Sequence, residues 1–468
     1  MVFEKKVERI ACVGAGYVGG PTCAMIAFKC PHINVTVVDE NEAKIEAWNS
    51  EKLPIFEPGL DEIVKATRGR NLFFSADQPT AIRNADLIFI TVNTPTKAYG
   101  RGNGMAPDLI HVESVARLIA EHAEGETIVV EKSTVPVKAA EGIEYLLRGP
   151  KDKESVLFQV LSNPEFMAEG TAIKYLASPD RVLIGGEKSR EGEAAVQRLV
   201  EVYRNWVPLE NIITVNTWSA ELTKLAANAF LAQRISSINS ISAICEATGA
   251  EINQVAHAIG QDSRIGSQFL QASVGFGSSS FKKDILALVY LCESLNLPEC
   301  GNYWKSVVEM NEWQRERFSD KIIQALFGTV AEKKVTLYGF AHKKNTGDTR
   351  ESSAISVARH LMEEQARICV FDPKVTEDQM RRDLMMAGNK EMVDKVQYST
   401  CPYKAAEDSH AIVILTEWDE FKTYDYERLF KSMKKPASVF DGRLILDQDR
   451  LRGIGFRVFT IGSMSMDS

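Results

Sequence analysis

The sequence of 468 residues contains no run of 18 apolar residues, so no membrane-spanning helix is expected. Its eight cysteines form no CxxC pair, and its seven histidines form neither an HxxxH nor an HExxH spacing. A disulfide framework and a metal centre are therefore both disfavoured, and reduced thiols suit a cytoplasmic enzyme. Basic charge is in deficit: 55 Lys and Arg against 63 Asp and Glu leave a net charge of −8. Broad nucleic-acid binding needs a basic face, so it is not expected, whereas a local anion pocket remains compatible. The N-terminal MVFEKKVERIACVGAG runs straight into a strand and a glycine turn, so no secretory leader is expected. Low-complexity sequence and short repeats are also missing. What is present is ordinary globular composition, with 45% hydrophobic and 25% charged residues, at a length that suggests about three domains.

Strand-like runs at 10–13, 35–38, 87–92, 127–130 and 158–161 are interspersed with helical stretches such as 21–28, which points to parallel α/β units. The segment 217–248 is rich in Ala, Leu and Ile and lacks Gly and Pro, which predicts one long helix ending at Gly249. Helical patterning continues over 286–295 and 303–327. A second α/β series follows, with strands at 335–338, 368–371, 411–415 and 438–440 and a helix over 354–362. The expected fold is α/β: two Rossmann-like doubly wound domains joined by a long central helix and a helical dimerisation region. The boundaries are 1–216, 217–328 and 329–468, with 463–468 a polar tail expected to fray.

The string Gly14-Ala15-Gly16-Tyr17-Val18-Gly19 follows the first strand and opens a helix. There the first glycine makes the tight turn, the second admits a pyrophosphate to the backbone, and the third lets helix and strand approach. The helix N-terminus supplies N–H groups to the phosphates. Such glycines alone would also suit a plain tight turn. Asp39, however, ends the second strand 20 residues after Gly19, where a carboxylate accepts from a ribose 2′-hydroxyl and repels a 2′-phosphate. The expected cofactor is NAD.

Longer strings are more specific: GAGYVGGPT at Gly14, VNTPT at Val92, EKSTVPV at Glu131, SNPEFMAEGTA at Ser162 and ELTKLAANAFLAQRISSINS at Glu221. They continue with VGFGSSSFKKD at Val274, GFAHKKNTGDTRES at Gly339, FDPK at Phe371, LTEWDEF at Leu415 and FDGR at Phe440. Together, in order and over essentially the whole chain, they resemble the animal branch of the UDP-glucose 6-dehydrogenase family. The resemblance implies oxidation of UDP-glucose to UDP-glucuronate with two NAD. It also implies an NAD-binding domain, a central helical dimerisation region and a UDP-binding domain, with a homodimer as building block and a hexamer in animal members.

By the same resemblance, Glu165 is the general acid/base. Lys224 steadies the developing alkoxide, Asn228 lies on the substrate or a water, and Thr134 and Asp284 help position or activate water. Cofactor contacts fall on Gly14 to Gly19, Asp39, Lys44, Val92, Asn93, Thr94, Pro95, Thr96, Ser133, Thr134, Glu169, Ser280 and Arg350. Substrate contacts fall on Glu165, Phe166, Glu169, Lys224, Asn228, Arg264, Gln271, Phe276, Gly277, His342, Lys343 and Arg443, with Arg264 reaching a neighbouring subunit. From the residues alone, Glu165 and Glu169 share a helix face if 162–172 is helical, or form an acidic cap. Lys224 alone reads as a surface lysine lying over apolar neighbours.

One departure bears on the chemistry. The family's loop reads GFGGSCF, its cysteine being the covalent nucleophile, whereas this chain reads Gly277-Ser278-Ser279-Ser280-Phe281. A free thiol is already a few per cent thiolate near neutral pH, but a serine needs a dedicated base. No histidine is near in sequence, so the second oxidation is expected to be slow, stalled or absent. Ser278 replaces a glycine, His342 stands where the family usually has Phe, and Asn345 replaces an Asp. Three or more differences suit a diverged paralogue better than a trapping variant. The alternative reading is therefore a catalytically impaired regulatory subunit that binds UDP-sugar and NAD beside an active paralogue. A dehydrogenase of another UDP-sugar is a third.

Overall fold

The β-branched and aromatic runs of the N-terminal half become β1 (Arg9–Val13), β2 (Asn34–Val38), β3 (Leu72–Ser75), β4 (Leu87–Ile90), β5 (Glu126–Glu131), β6 (Leu157–Ser162), β7 (Val182–Gly186) and β8 (Ile212–Asn216). This computed structural model describes residues 3, 5–149 and 156–464, so positions 465–468 of the expected tail lie outside the described residues. The chain divides into two units, Met1–Ala227 with Leu286–Asn296 and Asn228–Ile285 with Leu297–Ser468.

In the first unit the sheet order is β3-β2-β1-β4-β5-β6-β7-β8. Neighbours run parallel, except that β6 and β7 meet antiparallel at Ser162 and Gly185. Alternate residues serve opposite faces, as a two-residue period requires. Ile10, Cys12, Leu87 and Phe89 pack into one core cluster, while Ala11, Val13, Ile88 and Ile90 pack into another. Both faces are covered, so the strands read as continuous apolar runs rather than as alternation. The strand order reverses between β1 and β4, and ligands of such sheets bind beyond the carboxyl ends at that switch.

The second unit holds β9 (Lys334–Tyr338), β10 (Arg367–Phe371), β11 (Gln397–Tyr398), β12 (Ala411–Ile414), β13 (Ser438–Asp441) and β14 (Arg457–Thr460), all parallel, in the order β11-β10-β9-β12-β13-β14. That order repeats the first six strands of the other sheet. The switch-point hardware repeats as well. Gly14 N–H donates to Val38 O, and Gly339 N–H to Phe371 O, both at 2.8 Å. Asp39 at the end of β2 accepts from Ala15 N–H at 2.9 Å, and Asp372 at the end of β10 accepts from Phe340 N–H at 2.7 Å.

The predicted long helix is present as Thr217–Thr248, beginning in the first unit and ending in the second. Helices Ser279–Ser294 and Pro298–Ala325 follow. A helix over 162–172, which would put Glu165 and Glu169 on one face, is not formed. Beyond Ser162 the chain is irregular, turns at Glu169-Gly170, and becomes helical only at Ala172. Pro164 disfavours helical geometry at Asn163, and Gly170 sits at φ +79. Glu165 and Glu169 therefore share a loop, not a helix face. Among the described residues no helix is long and apolar enough to cross a membrane.

Candidate active site

The glycine fingerprint is built by close packing at two of its three glycines. A Cβ at Gly14, where φ is +115, would stand 2.7 Å from the Thr91 carbonyl oxygen, and one at Gly19 only 2.1 Å from the Gly14 carbonyl oxygen. At Gly16 nothing lies within 4 Å, which leaves the backbone open to a ligand. Asp39 is buried; its Oδ2 accepts from Ala15 N–H and from Lys44 Nζ at 2.8 Å, and its Oδ1 from Asn41 N–H. Burial would raise the Asp39 carboxyl, but Lys44 and the two backbone donors hold it below its ordinary value. An open second glycine beside an ionised carboxylate fits a dinucleotide with a free 2′-hydroxyl.

Two further loops flank the switch point. Ser133 Oγ donates to Val92 O and Thr94 Oγ1 to Thr134 O, both at 2.7 Å, so the VNTPT loop after β4 and the STVP loop after β5 are tied to each other. Asn93 and Pro95 are exposed, and Val92 and Thr96 are half-buried. A third tie was not legible in the sequence. Buried Glu57 accepts from Tyr17 OH, from Gly170 N–H at 2.7 Å and from Ala172 N–H at 2.6 Å. One carboxylate thus links the fingerprint to the loop carrying Glu165 and Glu169.

Glu165 lies in the loop that follows β6, between two cations. Lys132 Nζ is 2.9 Å from its Oε2, and its Oε1 accepts from Phe166 and Met167 N–H at 2.9 and 3.1 Å. Burial pushes the Glu165 carboxyl up; Lys132 above all, the Met167 N–H and Lys224 outweigh this and leave it below the usual glutamate range. Lys224 is not a surface lysine. It is 9% exposed, with Nζ 5.4 Å from the centre of the Phe166 ring, and the Arg181 guanidinium lies 4.0 Å from that same ring.

In the second unit, Asn228 Nδ2 donates to Asp284 Oδ2 at 2.6 Å, and both side chains are buried. Asn311 fixes the glycine-rich loop, accepting from Phe276 N–H at 2.8 Å and donating to Phe276 O at 3.0 Å. Gly277 packs so tightly that a Cβ would meet His342 Cβ at 2.7 Å. Arg443 donates to Leu415 O and His342 O, and Gln271 to Arg443 O. Lys343 is half-buried, and exposed Arg350 makes a two-toothed pair with Asp348. The Arg264 side chain is 87% exposed, held by Asp262.

Three segments match the UDP-glucose/GDP-mannose dehydrogenase family: its NAD binding domain over 8–207, its central domain over 218–313 and its UDP binding domain over 336–448. The chain belongs to this family. It is 67% identical over 460 residues to a UDP-glucose 6-dehydrogenase of Caenorhabditis elegans, covering 98% of this chain and 96% of that one. Identity to a Drosophila melanogaster UDP-glucose 6-dehydrogenase is 59% over 458 residues, covering 97% and 96%. A solved UDP-glucose dehydrogenase of Pyrobaculum islandicum superposes with a TM-score of 0.83 at 30% identity, covering 98% of each chain.

The structure gives Ser280, Ser278, Asn345 and His342 each a definite local setting. Ser280 is not a loop residue but the second residue of helix Ser279–Ser294, and it is exposed. Among the described residues none hydrogen-bonds its hydroxyl; only its N–H is engaged, donating to Ser278 Oγ at 3.3 Å. Ser278 stands at φ +76, a backbone glycine adopts freely and serine does not, and its hydroxyl repays part of that strain by capping the helix. Asn345 is at φ +62, which Asn tolerates better than most residues. The histidine missing near Ser280 in the sequence has a counterpart in the fold, since His342 packs on Gly277. Burial, however, pushes its imidazole down to about 4, and its Nδ1 is 2.9 Å from Asp348 O. It is a weak base at neutral pH.

Proposed function

We propose that the chain binds NAD and UDP-glucose and oxidises the C6 alcohol to the aldehyde, with the second oxidation to UDP-glucuronate limited by Ser280. The observation that carries this reading is the Lys132–Glu165 pair with Lys224 on Phe166, set in the same unit as an open Gly16 and an ionised Asp39. Gly14 to Gly19, Asp39 and the joined loops of Val92–Thr96 and Ser133–Thr134 would hold the cofactor, with Lys44, Glu169 and Arg350 at its edges. NAD, when bound, supplies the hydride acceptor for both two-electron steps. Glu165 takes the proton of the C6 hydroxyl, and the Lys224 ammonium offsets the alkoxide charge that develops. Asn228, Asp284 and Thr134 position water. For the second step the Ser280 hydroxyl must add to the aldehyde carbon while giving up its proton, and among the described residues no base is hydrogen-bonded to it. An oxygen ester would then have to be hydrolysed in place of a thioester.

Arg443, Lys343, Gln271 and His342 are assigned to the UDP-sugar, with Phe166, Phe276, Gly277 and the partner-directed Arg264. The three-part organisation at 1–216, 217–328 and 329–468 is kept. A homodimer built on the central helix is supported by exposed Trp218, Leu222, Phe230 and Ile244, which a buried interface would cover; a hexamer of such dimers and a cytoplasmic site are part of the same reading.

The second reading, a binding or regulatory subunit beside an active paralogue, rests on Ser280 itself. NADH formed per site from UDP-glucose and saturating NAD decides between the two. Sustained turnover with two NADH per glucuronate establishes a full dehydrogenase. No NADH from the natural chain, with both ligands still bound and activity restored by Ser280→Cys, establishes the binding subunit.

A further inference from the structure

The lysine beside Glu165 lies in EKSTVPV, and no role has been assigned to it. We propose that Lys132 is a positioning residue that keeps Glu165 ionised and aimed, so that Glu165 enters the reaction as a base. This rests on the assignment of Glu165 to proton transfer and adds the group that sets its protonation state.

The hydrogen-bond directions around Lys132 leave little choice. Asn163 Nδ2 donates to Leu183 O at 2.8 Å, which turns Asn163 Oδ1 inward as an acceptor. That oxygen takes Tyr203 OH at 2.7 Å, so the tyrosine oxygen presents a lone pair to Lys132. Lys132 Nζ therefore faces four acceptors, Glu165 Oε2 at 2.9 Å, Asn163 Oδ1 and Tyr203 OH at 3.2 Å each and Asn163 O at 3.4 Å, a set of lone pairs that only a group made entirely of donors, an ammonium, can satisfy. With a side chain 2% exposed, no water is needed to complete the set. On the far side, Glu165 Oε1 already receives two backbone N–H groups. Among the described residues every hydrogen-bond partner of the carboxylate is a donor, so a proton on it has no acceptor there, and the remaining lone pair of Oε2 is the one left to take a proton from substrate.

The groups that face Glu165 from its surroundings agree. Lys132 follows β5 and Lys224 lies on the long helix; both favour the anion. Tyr175, on helix Ala172–Ala177, and Tyr203, on helix Arg190–Tyr203, are both raised, chiefly by burial and in part by the Glu165 charge. Arg181, on the other face of this cluster, is held over Phe166. Without Lys132, burial of the carboxyl is opposed by Lys224 and backbone donors only.

The test is an infrared titration of Glu165, read as the difference between the natural chain and Glu165→Gln, repeated in Lys132→Met and Lys132→Arg. In the natural chain the carboxylate band should persist to below the ordinary glutamate range. In Lys132→Met the protonated band should appear at a pH at least one unit higher, and Lys132→Arg should restore the natural curve. NADH formation over the same pH range should show its acid limb moving upward by the same amount in Lys132→Met and returning in Lys132→Arg. If Glu165 of the natural chain titrates at or above the ordinary range, or if the Met and natural curves coincide, Lys132 does not set its charge. The natural-chain titration decides the matter even if Lys132→Met does not fold. Absence of NADH from every variant would count against the oxidative function while leaving the infrared result standing.

Discussion

Glu131 ends β5 at 1% exposure with neither carboxylate oxygen reached by a donor among the described residues. Facing it is Glu221 of the long helix, whose own oxygens accept from Lys138 N–H at 2.7 Å and Ala140 N–H at 2.9 Å. Glu221 is thus the acceptor, and Glu131 must carry the proton between them. Burial, with Glu221 second, pushes the Glu131 carboxyl well above its ordinary value. A group with a raised folded-state pKa contributes stability that is complete below its unfolded value and is lost as pH rises toward the folded one. Between those limits the loss is about 1.4 kcal/mol per pH unit. Glu131→Gln keeps a donor toward Glu221 and has no proton to lose. The variant should therefore match the natural chain near pH 4 and gain on it by about 1.4 kcal/mol per unit above that, until the pH reaches the raised value for Glu131. Guanidinium unfolding of both proteins at pH 4.5, 5.5 and 6.5 measures the difference directly. A constant offset across the three pH values would refute a protonated Glu131.

Three other outcomes follow from the geometry. His342, pushed down to about 4 by burial, should cost stability as pH falls from its unfolded value near 6.5 to about 4, by roughly 3 kcal/mol in all; His342→Phe should remove that acid sensitivity in thermal melts at pH 4 to 7. Glu57→Gln leaves either Gly170 or Ala172 N–H facing an amide NH2, without an acceptor. It should lower stability by about 1–3 kcal/mol and raise the KM for NAD, with equal NAD kinetics in variant and parent counting against the link between fingerprint and loop. Gly16→Ala should fold normally yet bind NAD weakly, whereas Gly19→Ala, whose Cβ meets backbone at 2.1 Å, should lose stability itself; calorimetry with and without NAD separates the two.

The legible part of the fold was the part governed by local pattern. Continuous apolar runs marked the covered strands, and the absence of Gly and Pro gave the helix Thr217–Thr248 to the residue. β3, β7, β8, β11 and β14 were missed: β7 holds Gly185 and Gly186, and the other four contain exposed or half-buried positions. The Glu165 loop misled because SNPEFMAEGTA carries helical spacing, yet Pro164 and the positive φ of Gly170 override it. Within the site, Asp39 and the glycines were readable from spacing because one β-α-β unit contains them all. Glu57, Lys132 and the Glu131–Glu221 pair were not, since each acts on residues 33 to 115 positions away or across packed elements, and a single sequence records no such contact.

The amino-acid sequence by itself determined that this is a two-sheet α/β chain with a dinucleotide fingerprint, and that residue 280, just after the glycine-rich run, is a serine. Those are properties of residue type and short-range spacing, and no folding is needed to read them. Only the tertiary structure decided which charges survive burial. Glu165 is held as an anion because Lys132 arrives from another strand, and Glu131 is raised because packing buries it and Glu221 arrives from the long helix. His342 stays neutral under the packing around it. Protonation depends on the distance to other charges and on exclusion of water, and both come into existence only when segments remote in the chain close over one another.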